Sequence, residues 1–124
     1  MIKGIGIDLV QIKRMERWVA DNALLKRFFH PDEIAYSLSM GKNAAAALAA
    51  RFAAKEAYGK ALGTGLANLN LNEIMVLNNE NGKPKIKLFG SAQSAMEKSG
   101  ADIIHISLTH EKDNAAAVII LEKV

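Results

Sequence analysis

The sequence predicts an α+β fold, with helices packed on a small antiparallel sheet. Three observations lead there. An apolar strand opens the chain, helical patterns fill residues 11–62, and two strand–turn–strand patterns with a helix between them complete it. Helices segregated from antiparallel hairpins mark the α+β class, whereas a parallel sheet needs strands and helices in alternation. The 124 residues fit one domain, 1–124. No internal repeat, low-complexity tract or linker interrupts them.

Ile2 to Val10 reads as a strand, and its glycines, Gly4 and Gly6, point to a bulge or a close approach by another backbone or a ligand. Asp8 near its end either enters an active-site edge or caps the next helix. Taken alone, its position favours the cap. Gln11 to Ala20 is a helix, with Ile12, Met15, Trp18 and Val19 on one arc and Lys13, Arg14 and Arg17 opposite. Lys26 and Arg27 follow, so the first third of the chain carries a basic patch suited to steering an acidic partner. Asp21-Asn22 breaks the helix, and Ala23 to Phe29 is a short one. His30-Pro31-Asp32-Glu33 opens another, with proline in the first turn and Ile34, Tyr36 and Leu38 expected inside. His30 is read as structural rather than as a ligand.

A long alanine-rich helix, Ala44 to Leu62, follows Gly41-Lys42-Asn43 and ends at Gly63-Thr64-Gly65. At about 100° per residue, Glu56 and Lys60 fall on one face with Ala45, Ala49, Phe52 and Ala53. Arg51, Lys55 and Tyr58 fall on another, expected to be the wetter. A Glu–Lys pair one turn apart can be an ordinary helix pair worth ~0.2–0.5 kcal/mol. Its small neighbours point equally to a site that something approaches closely. The Gly-Thr-Gly loop follows a helix rather than opening one, so it does not match the phosphate-binding fingerprints by itself.

Leu71 to Leu77 is a strand, residues 78–82 a turn, and Lys83 to Leu88 the basic return strand with Pro84 at its start. Ser91 to Ser99 is a helix with Ser91 as its N-cap and Gly100 as its stop. Asp102 to His110 is a strand with Ile104, Ile106, Leu108 and His110 on one face and His105, Ser107 and Thr109 on the other. A turn over 111–114 leads to the apolar strand Ala115 to Leu121. His110, at the mouth of that hairpin, either contacts a ligand or caps the turn.

Composition narrows the classes. The absence of cysteine excludes disulfides and thiolate metal sites and fits a cytoplasmic protein. The N-terminus lacks the pattern of a signal peptide, and no apolar run approaches a membrane span. A net charge of +3 permits a phosphate ligand, an acidic protein or nucleic acid. No nucleic-acid motif or aromatic stacking platform is present.

Four stretches together carry a family resemblance: Gly4-Ile5-Gly6-Ile7-Asp8-Leu9-Val10; Arg51-Phe52-Ala53-Ala54-Lys55-Glu56-Ala57 with Lys60-Ala61-Leu62-Gly63-Thr64-Gly65; Gly82-Lys83-Pro84; and Ser107-Leu108-Thr109-His110. In this order they resemble the holo-acyl-carrier-protein synthases, the short bacterial 4′-phosphopantetheinyl transferases. His30 departs from the pattern, which usually has Thr or Ser there. The resemblance implies transfer of phosphopantetheine from coenzyme A to a serine of apo acyl carrier protein, releasing 3′,5′-ADP, in support of fatty acid biosynthesis. It implies Mg²⁺ held by Asp8 and Glu56, with Lys60 clamping the phosphates or protonating the leaving group. That fits the preference of Mg²⁺ for one or two carboxylates completed by phosphate oxygens and water. The base that takes the serine proton stays open between a water on the ion and Glu56 acting through a water. It further implies a coenzyme A site lined by Arg51, Lys60, Gly63, Thr64, Gly65, Lys83, Pro84, Thr109 and His110. Lys13, Arg14 and Arg17 would meet the acidic carrier protein. Members of the family are homotrimers with active sites between subunits.

Overall fold

A computed structural model describes all of residues 1–124. The elements are β1 (Ile2–Gln11), α1 (Ile12–Glu16), α2 (Asn22–Phe28), α3 (Pro31–Ser39), α4 (Ala44–Leu62), β2 (Ile74–Asn78), β3 (Pro84–Leu88), α5 (Gly90–Ser99), β4 (Ile103–His110) and β5 (Asn114–Glu122). β1, β5 and β4 form one antiparallel sheet in that order, and β2 and β3 form a separate hairpin. Helices pack on antiparallel strands, as the sequence predicts. No helix is long and apolar enough to cross a membrane.

The core lies between α4 and the inner face of the three-stranded sheet. Alternation along β5 sends Ala115, Ala117, Ile119 and Leu121 inward. The register sets Asp8 of β1 opposite Ala117, which in turn faces Leu108 of β4. Gly4 and Gly6 allow α4 to lie directly on β1. A Cβ at either would fall well inside van der Waals contact with the carbonyl of Ala61 or Ala57. The close approach foreseen at these glycines is therefore that of another backbone. The outer sheet face carries Ile5, Ile7 and Leu9, each about two-thirds exposed.

Several elements differ from the sequence-based expectations. The first helix is one short α-helix, and Arg17–Ala20 tightens into a 3-10 turn that sinks Trp18 among Phe28, Phe29 and Phe52. In α3, Glu33 and Ser37 are buried, whereas Leu38 is exposed and Ile34 and Tyr36 are only half-buried. Residues 71–73 form a 3-10 turn, so β2 starts at Ile74. The carbonyls of Leu71 and Ile74 both bend toward the Lys55 ammonium, which an extended strand would not allow. Ser91 is not an N-cap. Phe89 holds that place, and Ser91 bonds to Glu73 through both its amide and its hydroxyl. These bonds hold the Glu73 carboxyl below the usual range. His30 is structural as expected: its Nδ1 accepts from the Asp32 amide while Glu33 accepts from its own amide, a capping box that starts α3.

The largest correction concerns α4. Arg51, Lys55 and Tyr58, expected on its wetter side, are buried, and Lys55 and Tyr58 completely so. Each finds polar partners inside. The Tyr58 hydroxyl donates to the Ala92 carbonyl, and burial pushes its pKa up to about 12. On the other face Ala49, Phe52 and Ala53 are buried as well, and its C-terminal end opens to solvent, with Glu56 half-buried and Lys60 exposed.

Candidate active site

Asp8 does not cap a helix. Gln11 precedes α1, and its side chain makes no capping bond. Asp8 lies instead against α4, where Lys60 Nζ donates to Asp8 Oδ1 at 3.0 Å and to the Ile7 carbonyl at 3.1 Å. The Glu56–Lys60 helix pair, one of the two readings of that face, does not form, and Glu56 has no ion pair or hydrogen bond within the protein. Its carboxyl is held above the usual range, first by desolvation and then by the negative charge of Asp8, with Lys60 and Arg14 opposing. A strand and a helix thus deliver two carboxylates and an ammonium to one place. The 63–65 loop folds back on this end of α4, with the Gly65 amide donating to the Gly59 carbonyl at 3.0 Å. Gly63 ends the helix in the left-handed region, φ 82°.

The donor set fits a magnesium ion. Two carboxylates lie together, and no group of three or more His, Asp or Glu forms a full cage anywhere in the chain. Mg²⁺ uses such partial sites and completes its octahedron with substrate phosphate and water. The repulsion between Glu56 and Asp8 is what a divalent cation would relieve.

Arg51 belongs to a second group. Lys60 lies nine positions further along, so the two point about 180° apart around α4. Its guanidinium donates to Asn78 Oδ1 at 2.7 Å and to the Ala47 carbonyl at 3.2 Å, and lies 4.4 Å from the Tyr36 ring centroid. Its Nε has no partner. Burial lowers its pKa, with the charge of Glu33 opposing. A cavity of about 300 Å³ is bounded by Arg51, Tyr36, Asn78, Pro84, Thr109 and His110. None of Asp8, Glu56, Lys60 or the 63–65 loop borders it. His110 makes no capping bond; Glu111 binds the turn instead. Lys83 lines a different and larger cavity, about 920 Å³, between β3, α5 and β4, which reaches no residue of the carboxylate group.

The predicted residues therefore fall into two groups that one chain does not bring together. Tyr36 and Asn78 were not singled out from sequence, since a lone aromatic on a helix and an asparagine in a turn cluster carry no signal of their own. Lys13, Arg14 and Arg17 are exposed and line a shallow basic hollow. Arg14 also lies 5.2 Å from the Phe52 ring centroid, which joins the basic patch to the carboxylate group.

Comparison with known proteins identifies the family. The family model described as the 4′-phosphopantetheinyl transferase superfamily matches residues 4–119. The holo-[acyl-carrier-protein] synthase of Treponema denticola is 54% identical over 122 residues, covering 98% of this chain and 99% of that protein. The crystal structure of the Neisseria meningitidis holo-[acyl-carrier-protein] synthase superposes with a TM-score of 0.87 at 33% identity, covering 99% of this chain and 100% of the other. The Bacillus anthracis holo-(acyl-carrier-protein) synthase, solved in complex with coenzyme A (3′,5′-ADP), gives 0.83 at 32% identity over 100% and 99% of the two chains. The chain belongs to the 4′-phosphopantetheinyl transferase superfamily, within its holo-[acyl-carrier-protein] synthases.

Proposed function

We propose that this protein transfers the 4′-phosphopantetheine arm of coenzyme A to a serine of apo acyl carrier protein, yielding holo acyl carrier protein and 3′,5′-ADP. The observation that carries the reading is the convergence of Asp8, Glu56 and Lys60 at the open end of α4. Asp8 and Glu56 would hold Mg²⁺. The bound ion would supply charge neutralisation at the pyrophosphate. In the reaction the serine oxygen bonds to the phosphorus that carries pantetheine, its proton leaving through a water beside Glu56, and the bond from that phosphorus to the 3′,5′-ADP oxygen breaks. Lys60, held beside Asp8, is placed to neutralise or protonate the departing phosphate. Phosphoryl transfer depends mainly on such positioning and neutralisation.

Arg51, Pro84, Thr109 and His110 form the second half of the coenzyme A site, with Lys83 at its margin. The guanidinium of Arg51 and the imidazole of His110 suit an anionic group, and the Gly63-Thr64-Gly65 loop lies on the Lys60 side. Because the halves flank opposite faces of α4, a complete site calls for a second copy. The apolar outer face of the β1–β5–β4 sheet supports such an assembly, which we take to be a homotrimer. Lys13, Arg14 and Arg17 would receive the acidic carrier protein. We place the reaction in the cytoplasm, in the supply of carrier protein for fatty acid synthesis.

Intact-protein mass spectrometry of apo acyl carrier protein tests this, with coenzyme A and Mg²⁺ present and an EDTA control. The expected result is a gain of one phosphopantetheine arm, lost in EDTA. No gain with folded protein and several carrier proteins would leave a coenzyme A-binding module without transfer.

A further inference from the structure

Helix α4 has alanine on every side, at positions 44–47, 49, 50, 53, 54, 57 and 61. Methyl groups of equal size define the rotation of a helix poorly, because uniform packing favours no single arrangement. Its few larger side chains must fix that rotation. Lys55 is the most constrained of them. Its ammonium is wholly buried and donates to Glu33 Oε1 at 2.7 Å, to the Leu71 carbonyl at 2.9 Å and to the Ile74 carbonyl. All three of its donors are used. Glu33, equally buried, accepts from the His30 amide at 2.9 Å through Oε1 and from the Val76 amide at 2.9 Å through Oε2. The pair fastens α4 to the first turn of α3 and to β2. Stability is a poor account of such a pair, since apolar residues of similar volume often replace a buried ion pair without loss.

We propose that Glu33 and Lys55 are positioning residues: their buried pair fixes the rotation of α4 and so sets where the adjacent Glu56 stands against Asp8. The proposal rests on the transferase reading of those two carboxylates. A side-chain end stands about 5–6 Å from a helix axis. A rotation of about 15° would carry the Glu56 carboxylate by about 1.5 Å, beyond the tolerance of a preorganised site. Lys55 and Glu56 are neighbours in sequence, so the residue that reads the register and the residue that uses it cannot drift apart.

The test is the double variant Glu33→Met/Lys55→Met, read by thermal melting, by Mn²⁺ titration followed by electron paramagnetic resonance, and by transfer kinetics. The expected result is a folded protein with a melting temperature near wild type, Mn²⁺ affinity weakened about 10–100-fold, lower kcat, and little change in KM for coenzyme A. A folded double variant that binds Mn²⁺ like wild type would overturn the proposal. If the double variant does not fold, Glu33→Asp, which shortens the reach by one methylene, must show the weakened Mn²⁺ affinity, and unchanged affinity there overturns the proposal equally. Glu56→Gln is the reference. Should it bind Mn²⁺ as wild type does, the metal reading itself falls, and the positioning role with it.

Discussion

Glu56 and Lys60 show how one helix turn can hold two chemically separate partners. Lys60 is drawn to Asp8 and reaches it at 3.0 Å, whereas Glu56, partly desolvated and repelled by the Asp8 charge, is left with a carboxyl held above its ordinary range. A raised carboxyl favours the folded state while protonated, and this contribution disappears as pH rises through the folded value. The metal-free protein should therefore lose thermal stability as pH climbs just past the ordinary carboxylate range. Mg²⁺ should restore it at neutral pH and hardly at all at acid pH. Melting curves at several pH values, with Mg²⁺ and with EDTA, check both signs. Glu56→Gln should raise the melting temperature in EDTA, abolish the Mg²⁺-dependent rise and abolish transfer. Lys60→Ala should cost about 10²–10³-fold in kcat and leave the fold intact, because Lys60 is exposed. From sequence, the shared face of Glu56 and Lys60 was legible at once. Asp8 was legible only through the family resemblance: taken alone, a carboxylate just ahead of a helix looks like a cap, and the packing of β1 on α4 is what turns it toward Lys60.

At the scale of elements, glycines and alanines let α4 sit on β1. Gly6 faces the Ala57 carbonyl with no room for a methyl group. Gly6→Ala should destabilise by about 1–3 kcal/mol and weaken Mg²⁺ binding as the strand carrying Asp8 shifts, both measurable by denaturation with and without the ion. His30→Ala should cost about 1 kcal/mol through loss of the cap, and more from its stacking on Phe89, 5.4 Å between centroids. Element types and order were legible because period, punctuation and caps are local signals. The burial of Arg51 and Lys55 was not, because it depends on partners 27 and 22 residues away. A charged side chain on a helix reads as solvated until a remote carboxylate or amide is found for it. Glu33 was visible only as the acidic residue of a helix start, while its second task lies across the core.

At the scale of the molecule, one chain carries two groups of candidate site residues on opposite faces of α4 and exposes Ile5, Ile7 and Leu9 on the outer face of β1, and the proposed function joins the two groups across copies. The four motif stretches made the family legible. Their separation into two groups within one chain was not, since a linear sequence does not say which of its segments the fold brings together. Ile7→Asp, on the outer sheet face, should yield folded monomers that bind Mg²⁺ but do not transfer, as sedimentation and carrier-protein mass would report. The most direct measurement uses Asp8→Asn, which disables the carboxylate half, and Arg51→Met, which disables the other. Each variant alone should be inactive. Unfolded together at equal amounts and refolded, they should regain about one quarter of wild-type transfer, the fraction of head-to-tail interfaces in a random ring at which two intact halves meet. A mixture that co-assembles and stays inactive, or a single variant that keeps full activity, would contradict a site shared between subunits.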